Sequence, residues 1–446
     1  MEYSIERGAQ RQFLLAVSLI VAAILIFFAI RIWLAYERVD SPSLPLMRRG
    51  AALDPGNGEA WDRIGRYLQW DFANPDPLAA IANYKRAIED DPRSAHFWMD
   101  LASAYEDAGD TSKAQDAYEH AKAAYPASAE VAFNYGNFLI RAGRNREGYG
   151  EIQQAVRTDP RLLPLAISRT WRTSGSAEDV LKNVLPPTTE GLLQGLDFFV
   201  SISRSDDALG IWQRLVDLGK PLTLSRSFPL LDELISEDRS DDALRVWREA
   251  ISAVPGEVAR PNAPPADRSI VWNGDFGSAF ANGGLDWRWN SPLGASIDFD
   301  SSSPPAGKRS VRMEFNGGSN LSLDEPMEYA PVESGRVYRF HAFLRTDQIS
   351  TESGIRFLIA DPNHPDVTPV LTENLTGSHG WTPVDAEITA GPRTHFLLVR
   401  LLRTPSRLFD NKLSGVVWMA GVSVIPADAP QDIPPVNPSN EKVPAL

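Results

Sequence analysis

The sequence predicts a multidomain chain of the α plus β class: a transmembrane helix, then an α-helical superhelix of repeated helix pairs, then an antiparallel β-sandwich. Three observations predict it. Phe13 to Ile30 is an uncharged, apolar run of 18 residues. Prolines and small residues then recur at intervals of 34. Past Ser269 the apolar period falls from about 3.6 residues to 2, the change from helix to strand.

Composition sets the outer bounds. A chain of 446 residues is too long for one ordinary core and fits two or three domains. Hydrophobic residues at 43% and charged residues at 23% describe a chain that folds over most of its length. With 58 acidic against 44 basic residues the net charge is -14. The basic residues form no cluster of the kind that neutralises a phosphate backbone, so no nucleic acid is expected as a partner. Cysteine is absent, which excludes disulfides, thiolate zinc sites and a cysteine nucleophile. That absence is compatible with an oxidising compartment such as the periplasm.

Residues 1–12 read as an N-terminal tail and 13–36 as the transmembrane helix. At about 1.5 Å per residue the uncharged run spans a hydrocarbon core of roughly 30 Å. Arg31 follows it, where a long side chain can snorkel to the headgroups, and Trp33 and Tyr36 supply an interfacial aromatic belt. A cleaved signal peptide would have a shorter apolar region ending in a small-x-small site. This run continues instead into Trp33, Leu34 and Tyr36, so an uncleaved anchor is expected. Arg7 and Arg11 before the span balance Arg38, Arg48 and Arg49 after it, and charge leaves the orientation open. From the short tail the expectation is a single-pass signal-anchor in a bacterial inner membrane, with the bulk of the chain periplasmic.

Residues 43–255 read as helical repeats. Pro92, Pro126 and Pro160 stand 34 apart, each preceded at the same distances by Ala87, Ala121 and Ala155, by Tyr84, Tyr118 and Ile152, and by Ala80, Ala114 and Gly148. This register resembles the tetratricopeptide repeat (TPR) family, whose unit is a pair of antiparallel helices. The fullest copy is Trp98, Leu101, Ala102, Tyr105, Ala114, Tyr118, Ala121 and Pro126, with Ala102 where the family usually has Gly. Small residues at Ala102 and Ala114 let two helix backbones approach, and Pro126, which lacks an amide donor, ends the second helix. An earlier copy, Trp61 to Pro92, is stretched by a longer turn around Asn74, Pro75, Asp76 and Pro77; a later one runs from Ala132 to Pro160. Ala51 to Pro55 matches only the end of a unit, a half-repeat leading out of the membrane. Between Leu162 and Pro187 no unit is recognisable and a distortion is expected. Ser205 to Trp212 then reappears as Ser240 to Trp247, where Ser or Asp is expected to cap each helix and Ala and Trp to pack inward.

The resemblance implies a concave groove on the first helices that takes an extended peptide or a partner's helix. Asn134, Asn137 and Arg141, at i, i+3 and i+7 of one first helix, are the candidates for holding a protein partner; the same spacing also suits a solvated polar face.

Residues 256–268, with Pro261, Pro264 and Pro265, have a linker composition. From 269 to 426 strands alternate. Tyr338, Phe340, Ala342 and Leu344 share one face and Arg339, His341 and Arg345 the other; Val311, Met313 and Phe315 alternate likewise, and His395 to Arg403 is apolar on both faces, as a central strand is. The succession Val271 to Phe276, Leu285 to Trp287, Gly335 to Tyr338 and Val422 to Val424 resembles the jelly-roll carbohydrate-binding modules. The resemblance implies an opening strand at Val271 to Phe276 and a glycan contact. Glycan-binding candidates are Trp287 and Trp289 as an aromatic platform and Arg339, His341 and Arg345 as a polar row, which together would suit an anionic polysaccharide if they converge; core tryptophans and a wet sheet face are the other reading. Positions where that family holds calcium carry Gly277, Ala420 and Gly421, so no metal and no cofactor are expected. Residues 427–446, rich in proline, read as a disordered tail.

Catalytic motifs are missing: the histidines form no HExxH pair, and neither GxSxG nor a phosphate-cradling glycine loop occurs. The expected function is a membrane-anchored scaffold for protein-protein interaction, with glycan contact as in exopolysaccharide assembly or export, and not an enzyme. The alternative, left open because paired carboxylates meet only in the fold, is a membrane-bound carbohydrate-active enzyme or its accessory subunit.

Overall fold

The computed structural model describes residues 8–71, 73–254, 269–302 and 304–428. The expected linker 256–268, the first seven residues of the N-terminal tail and the C-terminal tail beyond 428 lie outside the described residues. The chain divides into two compact units, Met1–Leu185 and Pro186–Leu446.

The first unit is helical. Helix α1 (Gly8–Val39) is long and apolar enough to cross a membrane. Its apolar side chains from Phe13 to Ile30 are largely exposed, as a lipid-facing helix requires. Its last turns do something else. Ala35 and Val39 are buried against α2 (Leu44–Leu53), where a Cβ on Gly50 would lie 2.7 Å from the Ala35 carbonyl oxygen. Arg31 donates from Nε to the Leu53 carbonyl at 2.6 Å, capping the end of α2. The half-repeat read at Ala51 to Pro55 therefore has a partner: the end of α1 serves as the other helix of the pair.

Three helix pairs follow: α3 (Gly58–Trp70) with α4 (Pro77–Asp90), α5 (Ala95–Asp107) with α6 (Thr111–Ala124), and α7 (Ala129–Arg141) with α8 (Asn145–Thr158). Their starts follow from capping. Asn57, Asp76, Ser94, Asp110 and Ser128 each accept a backbone N–H from the first turn of the helix that they precede. The signature alanines Ala80, Ala87, Ala102, Ala114 and Ala121 are fully buried. In the third pair the close approach needs glycine on both sides: a Cβ on Gly136 would sit 2.8 Å from the Gly148 oxygen, and one on Gly148 2.7 Å from the Gly136 oxygen. The signature tryptophans also hold the repeat turns, Trp61 Nε1 donating to Pro55 O at 3.0 Å and Trp98 Nε1 to Pro92 O at 2.9 Å. Helices α9 (Leu163–Ser174) and α10 (Ala177–Asn183) end the unit; the left-handed Gly175 (φ 62°) breaks them apart, and α10 has only 7 residues.

The second unit holds four helices and two antiparallel sheets. Helices α11 (Thr189–Ser201), α12 (Ser205–Asp217), α13 (Phe228–Ser236) and α14 (Ser240–Ala253) bury Ala208, Trp212, Ala243 and Trp247, as the 35-residue recurrence predicts. The expected caps do not form. Ser205 and Ser240 are already inside their helices, and the cap positions belong to Arg204 and Arg239, whose Nε atoms donate to Asp207 and Asp242 at 2.8 and 2.9 Å. A first-turn carboxylate also suits the positive end of the helix dipole.

Strands β1 (Ala295–Asp300), β2 (Ser310–Asn316), β9 (Ser414–Pro426), β4 (Val337–Ile349) and β7 (Gly377–Thr389) form one sheet in that order; β3 (Met327–Pro331), β8 (Phe396–Leu402), β5 (Arg356–Ala360) and β6 (Val370–Leu371) form the other. Their inner faces share one core, with Phe340 and Phe357 from opposite sheets at 4.8 Å between ring centroids. Strand β8 is internal to its sheet, in keeping with its doubly apolar sequence. The expected opening strand at Val271 to Phe276 is instead a turn, because Asn273 (φ 52°) and Phe276 (φ 49°) are left-handed; only single hydrogen bonds, such as Val422 N–H to Gly274 O at 3.0 Å, tie it to β9.

Within this unit the last helix pair packs on the sheets. Trp247 meets Trp272 edge to face at 6.0 Å, Arg288 pairs with Asp232 at 2.6 Å, and Asn363 Nδ2 donates to Ile235 O at 2.8 Å.

Candidate protein-binding groove

In the first unit α5, α7 and α9 line a cavity of about 200 Å³, with His96, Met99, Asp100, Ser103 and Glu106 from α5, Glu130, Asn134, Asn137 and Arg141 from α7, and Arg169 from α9. The helical period places these residues on one face because they recur three or four apart. Asn134, Asn137 and Arg141 all line this cavity. Asn137 is buried and donates from Nδ2 to Phe133 O at 2.7 Å, and Asn134 Nδ2 lies 3.8 Å from Met99 Sδ. Arg141 binds Glu106 through two nitrogens, Nε to Oε2 at 3.1 Å and Nη2 to Oε1 at 2.9 Å. Tyr118 OH donates to the same carboxylate at 2.8 Å, and burial, then the Glu106 charge, raises the Tyr118 phenol. Glu106 is thus held from two sides, and Arg141 is fixed in a fork geometry that a lysine could not reproduce.

Beside this cavity stands a charged cluster that sequence reading missed. Asp62 of α3 is completely buried, with Arg66 Nη2 2.7 Å from its Oδ2. Arg66 Nε is 3.6 Å from Asp100 Oδ2, and His96 Nε2 is 3.5 Å from the same oxygen. Desolvation first, and the neighbouring Asp100 charge second, push the Asp62 carboxyl up to about 8; burial raises Asp100 as well. The signal in the sequence was the pair of i, i+4 spacings, Asp62 with Arg66 and His96 with Asp100, on two successive first helices.

The glycan candidates fall in two places. Trp287 is fully buried and Trp289 nearly so, both in the core between the sheets, and Trp287 packs on Phe276 at 5.7 Å and Phe280 at 6.1 Å. They offer no platform to a sugar, which corrects that expectation: a period of two gives the faces of a strand but not which of them is inside. Arg339, His341 and Arg345 lie on the opposite, outer face of β4, so the two rows do not converge. His341 Nδ1 is 2.7 Å from Asp385 Oδ1. The row meets Phe343, on which His341 packs edge to face at 4.8 Å, and Trp418 of β9, half-buried, with the Arg345 guanidinium 4.5 Å and the Arg312 guanidinium 5.8 Å from its ring centroid, and its Nε1 donating to Asp300 at 3.2 Å.

Residues 72–132 match the family model described as tetratricopeptide repeat. No curated protein matches the chain. Among solved structures the chain is similar to MamA, at 15% identity over 39% of this chain and 85% of that one, with a TM-score of 0.25. It is similar to YrrB, a TPR protein with an unusual peptide-binding site, at 15% identity over 49% and 97%, TM-score 0.25. PilF of Pseudomonas aeruginosa follows at 13% identity over 52% and 94%, TM-score 0.28. The family match and the 34-residue register together show that the helical part of the chain carries tetratricopeptide repeats; among the described residues one helix is long and apolar enough to cross a membrane, and an antiparallel β domain lies C-terminal.

Proposed function

We propose that this chain is a membrane-held scaffold whose groove takes an extended segment of a protein partner at the outer face of a bacterial inner membrane. The observation that carries the reading is the single cavity shared by Asn134, Asn137 and Arg141. An extended peptide brings unpaired N–H and C=O groups, which carboxamides and a braced guanidinium can satisfy. The test is recovery of a partner with the full chain from detergent-solubilised membranes. Asn134→Ala with Arg141→Glu should abolish recovery; recovery at the wild-type level would remove the groove from the account. A reporter fused at the C-terminus should be active only when periplasmic, and cytoplasmic activity would reverse the orientation.

A second reading concerns the β domain, which we take to be a jelly roll of the carbohydrate-binding type that contacts an acidic glycan during exopolysaccharide assembly or export. Arg345 and Arg312 beside Trp418, with Arg339 and His341 in the same row, support it, because an aromatic face with guanidinium neighbours suits a charged sugar. Binding of the full chain to immobilised acidic polysaccharide should weaken in Trp418→Ala. Hydrolysis of that polysaccharide, abolished by a single carboxylate substitution, would favour the membrane-bound carbohydrate-active enzyme instead.

A further inference from the structure

We propose that Asp62, His96 and Asp100 form a binding site for one divalent first-row transition metal ion, of which zinc is the representative, on the first helices of two successive repeats. One ligand atom from each of the three residues lies within 4.8 Å of the other two. His96 and Asp100 stand one helical turn apart on α5, the spacing that lets two side chains of a helix chelate one ion, and α3 supplies the third ligand from the neighbouring repeat. Zinc takes imidazole nitrogen and carboxylate oxygen at about 2.0–2.2 Å and is commonly held by three protein ligands with water completing the tetrahedron.

Two further observations point to a missing cation. Asp62 is 0% exposed; its Oδ2 pairs with Arg66 at 2.7 Å and faces His96 Nε2 at 3.9 Å, while its Oδ1 has no ion pair among the described residues. The buried Oδ2 of Asp100 is likewise without a hydrogen bond. Charge then decides. The Arg66 guanidinium faces three carboxylates, Asp62, Asp100 and the more exposed Glu59, so the two aspartates have less than one full positive charge to share in a desolvated place unless a further cation joins them. An ion held by both carboxylates and the imidazole supplies that cation. Arg66 keeps its contact with Asp62 as the outer partner that orients a ligating carboxylate. Asp100 and His96 also line the cavity, so the site has an approach from the groove. His96 and the outer edge of Asp100 are partly exposed, so an ion can reach them from solvent. A hard cation such as magnesium, which prefers six oxygens, does not suit this set.

The test uses the full chain in detergent micelles, carrying no histidine tag. Zinc is titrated at pH 8 against a chromophoric chelator, and cobalt(II) serves as a spectroscopic substitute. The expected result is one equivalent of zinc, a tetrahedral cobalt absorption that zinc abolishes, and no displacement by millimolar magnesium. Asp62→Asn, His96→Ala and Asp100→Asn should each weaken zinc binding at least tenfold, with Glu147→Gln, an exposed carboxylate on α8, as the unaffected control. His96 lies at the surface, so its variant keeps the test open should a buried substitution misfold, and helical ellipticity reports folding. Binding of less than one equivalent by the wild type, or affinity unchanged in His96→Ala, overturns the site.

Discussion

Asp62→Asn isolates the physics of the buried cluster. Asparagine keeps the shape of the side chain and removes its ability to ionise. In the wild type the carboxyl is moved from 3.8 to about 8, chiefly by desolvation and then by Asp100. Such an acid binds more protons folded than unfolded between those two values, so its contribution to stability is full below about pH 4 and is lost as the pH rises through 8. A change of about four in pKa corresponds to roughly 6 kcal/mol at ~1.4 kcal/mol each, and relaxation around the ionised pair returns about half. At pH 5 the folded carboxyl is neutral but the unfolded one is already ionised, so the variant should be ahead by only about 1 kcal/mol. At pH 9 the wild type carries the ionised carboxylate, and the variant should be more stable by about 3 kcal/mol. Arg66 still has Glu59 at 3.0 Å and Asp100 at 3.6 Å, so losing Asp62 does not leave it alone. Urea unfolding of the full chain in micelles, followed by helical ellipticity with a chelator present, measures the difference. If Asp62→Asn destabilises the chain more at pH 9 than at pH 5, Asp62 is ionised in the native state and held by Arg66, and the reasoning fails.

Other predictions concern the rest of the chain. Trp247→Ala empties a fully buried site that touches Trp272 and should cost the second unit about 3–5 kcal/mol, read as a lower unfolding midpoint with faster proteolysis around Ser269 to Asn290. Glu328 is completely buried, accepts the Trp272 N–H at 2.5 Å, and is raised well above the usual range by burial and then by Asp286. Its stabilising share is therefore lost as the pH rises, and Glu328→Gln should flatten the pH dependence of the second unit's unfolding between pH 5 and 9. Ile24→Lys places a charge at the middle of the apolar run, at about 3 kcal/mol on insertion scales, and should shift the chain from the membrane pellet toward the carbonate-soluble fraction.

How much of this was legible depended on what kind of constraint each residue obeys. The repeats were readable because close helix approach demands small residues at fixed spacing, and Ala102, Ala114, Gly136 and Gly148 meet that demand locally. The caps expected in the second unit failed because Arg204 and Arg239 took the cap positions, pairing with Asp207 and Asp242, a device that resembles an ordinary surface salt bridge in sequence. The pairing of α1 with α2 was half visible: the small residues of α2 were there, but nothing in an apolar run marks where lipid ends and protein contact begins. Trp287 and Trp289 could be read either as a sugar platform or as core, because alternation leaves inside and outside undetermined, and the structure makes them core; Trp418, which the basic row does meet, lies more than seventy residues beyond Arg345 in the chain. The Asp62 cluster escaped because its charged pairs read as ordinary solvated i, i+4 ion pairs until α3 and α5 bring them together.

The central claim is that the groove of the first unit holds a protein partner. Photocrosslinking in intact membranes tests it most directly, with a photoreactive residue in place of Ser103 or Asn134 in the cavity, and in place of Asp116 or Arg146 on the second helices as controls. The account predicts one discrete adduct from the two groove positions, absent from the two controls and lost when Arg141→Glu is added. Adducts of equal yield from all four positions, or groove adducts that survive Arg141→Glu undiminished, would contradict it.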